Sequence, residues 1–281
     1  SWSGEFDGEV QHSVKYKSSS EFTGKRVLIV GAGNSGVDIA CDASFAADQA
    51  FLSVRRGYHF VPKHLFGKPS DVFSEEGPKL PFFLQQKIFG GLLRLINGDL
   101  TSYGSPKPDH KIFQTHPIMN TQILHYLGHG DCTAKGDIDY LDGKEVVFKD
   151  GSREQIDLII TATGYKHSVP FLNGEEIPIK NGRPDLYLNM FPRNCSNMAL
   201  IGFIEFASAA YENFDLMSEL IVADIAGSAE GLAEMKKTHH PDLSGGHNYL
   251  NTERNANYVD VDTFLKTLSK VKARTGIASG V

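Results

Sequence analysis

The stretch RVLIVGAGNSGVDIA, from Arg26 to Ala40, limits what this chain can fold into more than any other. Arg26 to Val30 has the length and β-branched content of a strand buried on both faces. A glycine-rich turn follows at once. The spacing beyond it predicts a helix from Asn34 to about Ala47, with Val37, Ala40, Cys41 and Ser44 on one face. A second buried strand is expected at Ala50 to Val54. Strand, helix and strand at this separation make a βαβ unit with parallel strands and a right-handed crossover, so the expected class is α/β.

The turn itself, GAGNSG, points to a ligand. Gly31 allows the tight exit from the strand, Gly33 lets a pyrophosphate approach the backbone, and Gly36 lets the helix pack on the sheet. The helix start at Asn34, Ser35 and Gly36 offers unpaired amides and the positive end of a dipole to phosphate oxygens. This is a Rossmann-like arrangement. At the end of the second strand, where a carboxylate would bind a ribose 2′-hydroxyl, the chain has Ser53-Val54-Arg55-Arg56. A carboxylate repels a 2′-phosphate and an arginine fork grips one, so NADP is favoured over NAD or FAD at this turn. Ser53, Arg55 and Arg56 are accordingly assigned to the cofactor, the plainer alternative being solvated charges at a strand end.

Composition narrows the function. The 281 residues, 41% of them hydrophobic, supply a core for one large domain or two of moderate size. A formal net charge of −6 argues against a surface built for nucleic acid, which needs a clustered positive field. Cys41, Cys132 and Cys195 are odd in number and far apart, which fits neither a disulfide framework nor a CxxC ligand pair. A reducing, cytoplasmic location is expected. The most apolar long stretch, Leu80 to Ile96, is interrupted by Gln85, Gln86, Lys87 and Arg94, so no transmembrane segment is expected.

From Gly57 to Gly130 prolines break the pattern, and an insertion is expected with helices near Leu84 to Ile96 and Thr121 to Leu127. The turn pairs Asp142-Gly143 and Asp150-Gly151 then predict a three-stranded meander. It leads to a third apolar run, Asp157 to Thr161, that can rejoin the parallel sheet. Beyond Tyr165 a buried strand is expected at Met198 to Ile204, a helix at Glu212 to Ile225, and a last amphipathic helix with Val261, Phe264, Leu265 and Leu268 together. The first 25 residues are polar, rich in Ser and Gly, and read as a connecting segment.

Three ordered motifs remain. Phe6, Gly8, His12 and Tyr16 stand as F-x-G-x-x-x-H-x-x-x-Y just before the glycine turn, Ser53 to Gly57 reads SVRRG, and Ala162 to Tyr165 reads ATGY. In these the chain resembles the flavin-containing monooxygenases, class B flavoprotein monooxygenases, from about residue 6 to 172 and more loosely through GFIEF. The resemblance implies an NADP domain inserted into an FAD-binding domain. Residues 1–25 would be the linker and exit from the FAD-type domain, and 26–165 the NADP-binding domain with its insertion at 57–130. Residues 166–281 would be the returning part of the FAD-type domain and a tail, the front part with its own glycine turn being absent from this sequence. The resemblance also implies that Thr163, Gly164 and Tyr165 contact the cofactor.

The implied activity is reduction of FAD by NADPH, oxygen capture as a flavin C4a-hydroperoxide, and oxygenation of a soft nucleophile. An N or S centre is favoured, because Tyr16 stands where related Baeyer–Villiger enzymes carry Trp. The cofactors carry this chemistry, so no catalytic residue is assigned and His12 is given no proton-transfer role. The implied partners are a small nucleophilic substrate and O2. A homo-oligomer or association with a separate FAD-binding part is left open, and the isolated chain is expected neither to hold FAD nor to turn over. The alternative is a non-catalytic NADP-binding module docking on a flavin-carrying partner.

Other constellations are weaker. His125 and His129 are spaced i, i+4 without the Glu of an HExxH site, and read as a satisfied pair. His239-His240 reads as an exposed loop. Tyr103 with Lys107 and Tyr140 with Lys144 have the spacing of a dehydrogenase dyad, but Pro106 and Asp142-Gly143 interrupt the helix it needs. The apolar helix near Leu80 to Ile96 is expected to pack against the flavin domain, line a substrate passage or lie on a membrane surface.

Overall fold

The apolar run from Arg26 to Val30 becomes the middle strand of a five-stranded parallel sheet in the computed structural model of the chain. The structure describes residues 2–70, 72–73, 80–165, 169–172, 177–180, 183–206, 210–238, 240–250, 252, 255 and 257–277. Two units divide it, residues 1–112 with 117–165, and residues 113–116 with 166–281.

The first unit starts with β1 (Ser3–Phe6) and β2 (Glu9–His12), then β3 (Arg26–Val30), α1 (Asn34–Ala46) and β4 (Gln49–Ser53). The region between them and the next long strands carries a small hairpin, β5 (His64–Leu65) with β6 (Lys68–Pro69), and helices α2 (Phe82–Asn97) and α3 (Gln122–His129). It continues with β7 (Cys132–Lys135), β8 (Ile138–Gly143), β9 (Glu145–Phe148), β10 (Arg153–Gln155) and β11 (Leu158–Thr161). The parallel sheet has the order β2-β11-β3-β4-β7. Both its faces are covered. Val27 and Ile29 face α1 and α3, while Leu28, Phe51 and Ile159 face the second sheet through Ile138, Val146 and Phe148. Val27, Leu28 and Ile29 are fully buried, and each such side chain contributes about 1.5–3 kcal/mol. That is why the strand reads as an unbroken apolar run.

The second sheet, β1-β8-β9-β10, contains the expected meander, with β8, β9 and β10 antiparallel. Its fourth strand corrects the reading of the leading segment as a connector. Ser3 to Phe6 pairs in parallel with β8, and Glu9 to His12 pairs in parallel with β11. Both are edge strands with largely exposed side chains, so pairing rather than burial holds them and no apolar pattern marks them.

The second unit is helical, with short hairpins. Strands β12 (Ile179–Lys180) and β13 (Arg183–Pro184) pair, as do β14 (Leu186–Tyr187) and β15 (Phe191–Pro192). Helices α4 (Tyr211–Ile225), α5 (Leu232–Lys237) and α6 (Val261–Arg274) enclose Leu188, Met190, Phe191, Met217, Leu220, Leu232 and Phe264, all fully buried. The expected strand at Met198 to Ile204 does not form. Its backbone gains isolated bonds, Leu200 N–H to Met190 O and Asn189 Nδ2–H to Phe203 O, rather than a ladder, and Ile201 is 45% exposed. Phe113 to His116, expected within the insertion of the first domain, belongs to this unit. Leu250 N–H donates to Gln114 O at 2.8 Å and Thr115 Oγ1 to Asn255 Oδ1 at 3.0 Å.

Candidate cofactor site

The register of the parallel sheet brings five strand ends into one row. His12 pairs with Thr161, Thr161 with Val30, Val30 with Ser53, and Ser53 with Lys135. Because every neighbour is parallel, the residues that follow emerge along one edge. The glycine turn, the arginines and the ATGY turn therefore share the carboxyl-end side, where open α/β sheets bind ligands.

Gly31 has φ +108°, and a Cβ there would lie 2.6 Å from Ala162 O. At Gly36 a Cβ would lie 1.8 Å from Gly31 O. No other residue fits either place. The close packing seats the start of α1 against the turn and against the ATGY segment. The helix cap is Gly33, with no side-chain cap and no acidic residue in the first turn, so the first amides keep their donors. Val37 N–H makes the first helical bond, to Gly33 O at 2.9 Å. Asn34 uses its side chain elsewhere, Oδ1 accepting from Met119 N–H at 2.9 Å, while Ser35 is exposed.

At the end of β4, Arg55 is exposed and Arg56 is 27% exposed at its side chain. The Arg56 guanidinium donates to Asp109 Oδ1 at 3.2 Å and lies 6.0 Å from the Tyr58 ring. Ser53 differs from its expected role. It is 2% exposed, and its hydroxyl donates to Gly136 O at 2.8 Å, which fastens the strand end rather than facing a ligand.

On the other side of the row, the structure joins two motifs that lie far apart in sequence. Val14 N–H donates to His12 Nδ1 at 3.2 Å, so the ring proton sits on Nε2, which donates to Gly164 O at 3.2 Å. The His12 and Tyr165 rings meet edge to face at 5.3 Å, and Ser13 Oγ lies 3.4 Å from Tyr165 Oη. Thr163, Gly164 and Tyr165 are themselves exposed. Tyr16 fastens the same segment to α1: it stacks on buried Phe22 at 5.0 Å and donates to Asp42 Oδ2 at 2.7 Å. Burial and the Asp42 carboxylate push its phenol well above the usual range.

Sequence reasoning missed Asp109, His110, His59 and Asn120. Asn120 donates to Asp38 Oδ1 at 2.6 Å and accepts from Ile123 N–H at 3.2 Å, tying the start of α3 to α1. No local pattern marks them.

The His125 and His129 rings lie 4.1 Å apart, tilted at 39°, with His129 Nδ1–H donating to His125 O at 3.0 Å, and no cluster of three or more metal-ligating side chains exists among the described residues. Tyr103 lies in a 3-10 turn and Tyr140 in β8, so neither tyrosine shares a helix with its lysine. His239 lies outside the described residues. His240 is half-buried, its Nδ1 2.9 Å from Leu186 O, rather than exposed. In α2, Phe83 and Leu95 are 64% and 83% exposed. Among the described residues no helix is long and apolar enough to cross a membrane.

The model of the flavin-binding monooxygenase-like family matches residues 3–240. The chain belongs to that family. It is 32% identical over 292 aligned positions to flavin-containing monooxygenase 5 of Cavia porcellus, covering 97% of this chain and 52% of that protein. It is 30% identical to dimethylaniline monooxygenase [N-oxide-forming] 2 of Macaca mulatta, covering 79% of this chain and 43% of that one. The chain thus spans about half the length of the curated relatives it matches. Among solved structures, the complex of OTEMO with FAD and NADP shares the fold, with a TM-score of 0.59, 17% identity, and coverage of 83% of this chain and 60% of that one. The Rossmann-type α/β fold expected from the glycine turn is therefore the family's own.

Proposed function

We propose that this chain is the NADP-holding portion of an NADPH-dependent flavin monooxygenase that oxygenates a small, soft nucleophile with O2. The observation that carries the reading is the row of strand ends, which sets the glycine turn, the Arg55-Arg56 pair and the ATGY turn on one edge. Family membership supports it.

The residues present fit NADP. The space that a Cβ at Gly36 would fill admits only backbone, and the uncapped start of α1 supplies the amides of Asn34, Ser35 and Gly36 for a pyrophosphate. Gly33 has φ −75°, which any residue adopts, so its lack of a side chain serves clearance for the phosphates. Arg55 and Arg56 take the 2′-phosphate by charge-assisted bonds. Ser53 acts through the strand end, and Thr163 to Tyr165 close the crevice, pinned by His12. The bound nucleotide supplies the hydride and the flavin supplies oxygen chemistry, while protein groups position them and exclude water. No residue here is assigned to FAD, since the sequence has no second glycine turn of this type.

In this reading residues 26–165 are the NADP-binding domain and 166–281 belong to a FAD-type domain, in a reducing, cytoplasmic compartment. Nitrogen or sulfur is the favoured centre, in keeping with Tyr16 and the N-oxide-forming relative. The test is titration of the chain with NADPH and NADH. Arg55→Ala is expected to weaken NADPH by about 1.5–3 kcal/mol and leave NADH nearly unchanged. Equal losses reject the assignment.

A further inference from the structure

Asp109 and His110 come to the end of β4 from more than fifty positions further along the chain. Gly57 makes a parallel bridge with Pro108, and a Cβ at Gly57 would lie 2.1 Å from Lys107 O, so only glycine lets this strap approach so closely. The strap is fixed from within. His110 has a side chain 2% exposed, and its carbonyl lies 2.8 Å from His59 Nε2, which donates to it. His110 Nδ1 is 2.7 Å from Asp109 Oδ1 and 3.3 Å from Arg56 Nη2. One nitrogen cannot serve both. The shorter contact decides it: Nδ1–H donates to Asp109, and Arg56 donates to the same carboxylate at 3.2 Å. The Arg56 Nε is buried with no hydrogen-bond partner. The carboxylate thus holds this long side chain through Nη2, while Nε goes unpaired.

Resting on the NADP reading above, we infer that Asp109 and His110 are positioning residues for the 2′-phosphate, which they serve by holding the Arg56 guanidinium at the crevice edge. A free arginine loses rotamer freedom when it closes on a phosphate, and an arginine already held loses less. The carboxylate also subtracts charge from the site. Its side chain is 59% exposed, so solvent screens that charge, and its hold on Arg56 rests on the geometry of the hydrogen bond more than on charge attraction. His110, buried and hydrogen-bonded, keeps Asp109 itself from swinging into solvent.

Titration of the full chain with adenosine 2′,5′-bisphosphate and with AMP isolates the effect, since the two probes differ only in the 2′-phosphate. Asp109→Ala is expected to weaken the bisphosphate about fivefold or more and leave AMP unchanged. Asp109→Glu, which keeps a carboxylate, should recover part of the loss. His110→Gln, which keeps a donor, should lose less than Asp109→Ala. If Asp109→Ala binds the bisphosphate as tightly as the unmodified chain while Arg55→Ala loses it, the positioning role is overturned and the NADP reading stands. If the unmodified chain does not distinguish the two probes, both fall.

Discussion

At one end of the row of strand ends the glycine turn is made of backbone, and its geometry is set by the close approach of Gly31 O and Ala162 O, which leaves no room for a side chain. At the other end Arg55 and Arg56 are long side chains, one exposed and one held by a carboxylate far along the sequence. The first end is steric and all-or-none. The second is electrostatic and graded, and depends on residues that meet only in the fold. Mutations at the turn should therefore break the fold, whereas mutations at the arginines should change preference among ligands.

The largest effect is expected at the turn. Gly36→Val places a side chain where even a Cβ would sit 1.8 Å from Gly31 O. It should cost about 3 kcal/mol or more and abolish binding of NADPH and NADH alike, read as a lowered denaturation midpoint and a flat titration. A folded, binding variant would mean that the turn is not steric. The Arg55→Ala loss of about 1.5–3 kcal/mol for NADPH comes next, and its contrast with Gly36→Val is that NADH binding survives. Smaller again is His12→Ala, which removes the bond to Gly164 O. It should destabilise by about 0.5–1.5 kcal/mol and speed amide exchange at Tyr165 more than in β3.

Three titrating groups separate the ends further. Burial holds His59 below its ordinary value of 6.5, so between the two values the unfolded chain binds more protons than the folded one. Stability conferred by neutral His59 is complete above that value and declines as pH falls through it. A plot of Tm against pH should fall from 7 to 5, with a shallower slope in His59→Gln; an unchanged slope would remove His59 from the strap. Behind the turn, burial pushes the Cys41 thiol up to about 11 and Cys132 to about 12. Half-buried Cys195 should alkylate at pH 8 while these two stay inert until unfolding. Early labelling of Cys41 would show α1 to be loosely packed.

The elements legible in the sequence are those buried on both faces. Val27 to Val30 and Leu158 to Ile160 left continuous apolar runs because each side chain meets a covered face of the sheet. Strands β1 and β2 left none, since an edge strand is held by backbone pairing with β8 and β11, and this information lies in the partner. Met198 to Ile204 misled for the converse reason: its residues are apolar, but no neighbouring strand among the described residues forms a ladder with it. The site divides the same way. Gly31, Gly36 and the arginines follow from their positions after strands, whereas the His12 clasp on Gly164 spans 152 residues and the Asp109 anchor on Arg56 spans 53. The register sets Ser53 at a strand end, and only the fold shows that its hydroxyl is taken up by Gly136 O.

A crystal structure of the chain with NADP bound would settle where the nucleotide lies. The pyrophosphate should rest on the first amides of α1 beyond Gly33, with the 2′-phosphate within hydrogen-bond reach of Arg55. An adenosine bound anywhere else on the chain, or a 2′-phosphate turned away from Arg55 and Arg56 into solvent, would contradict the assignment.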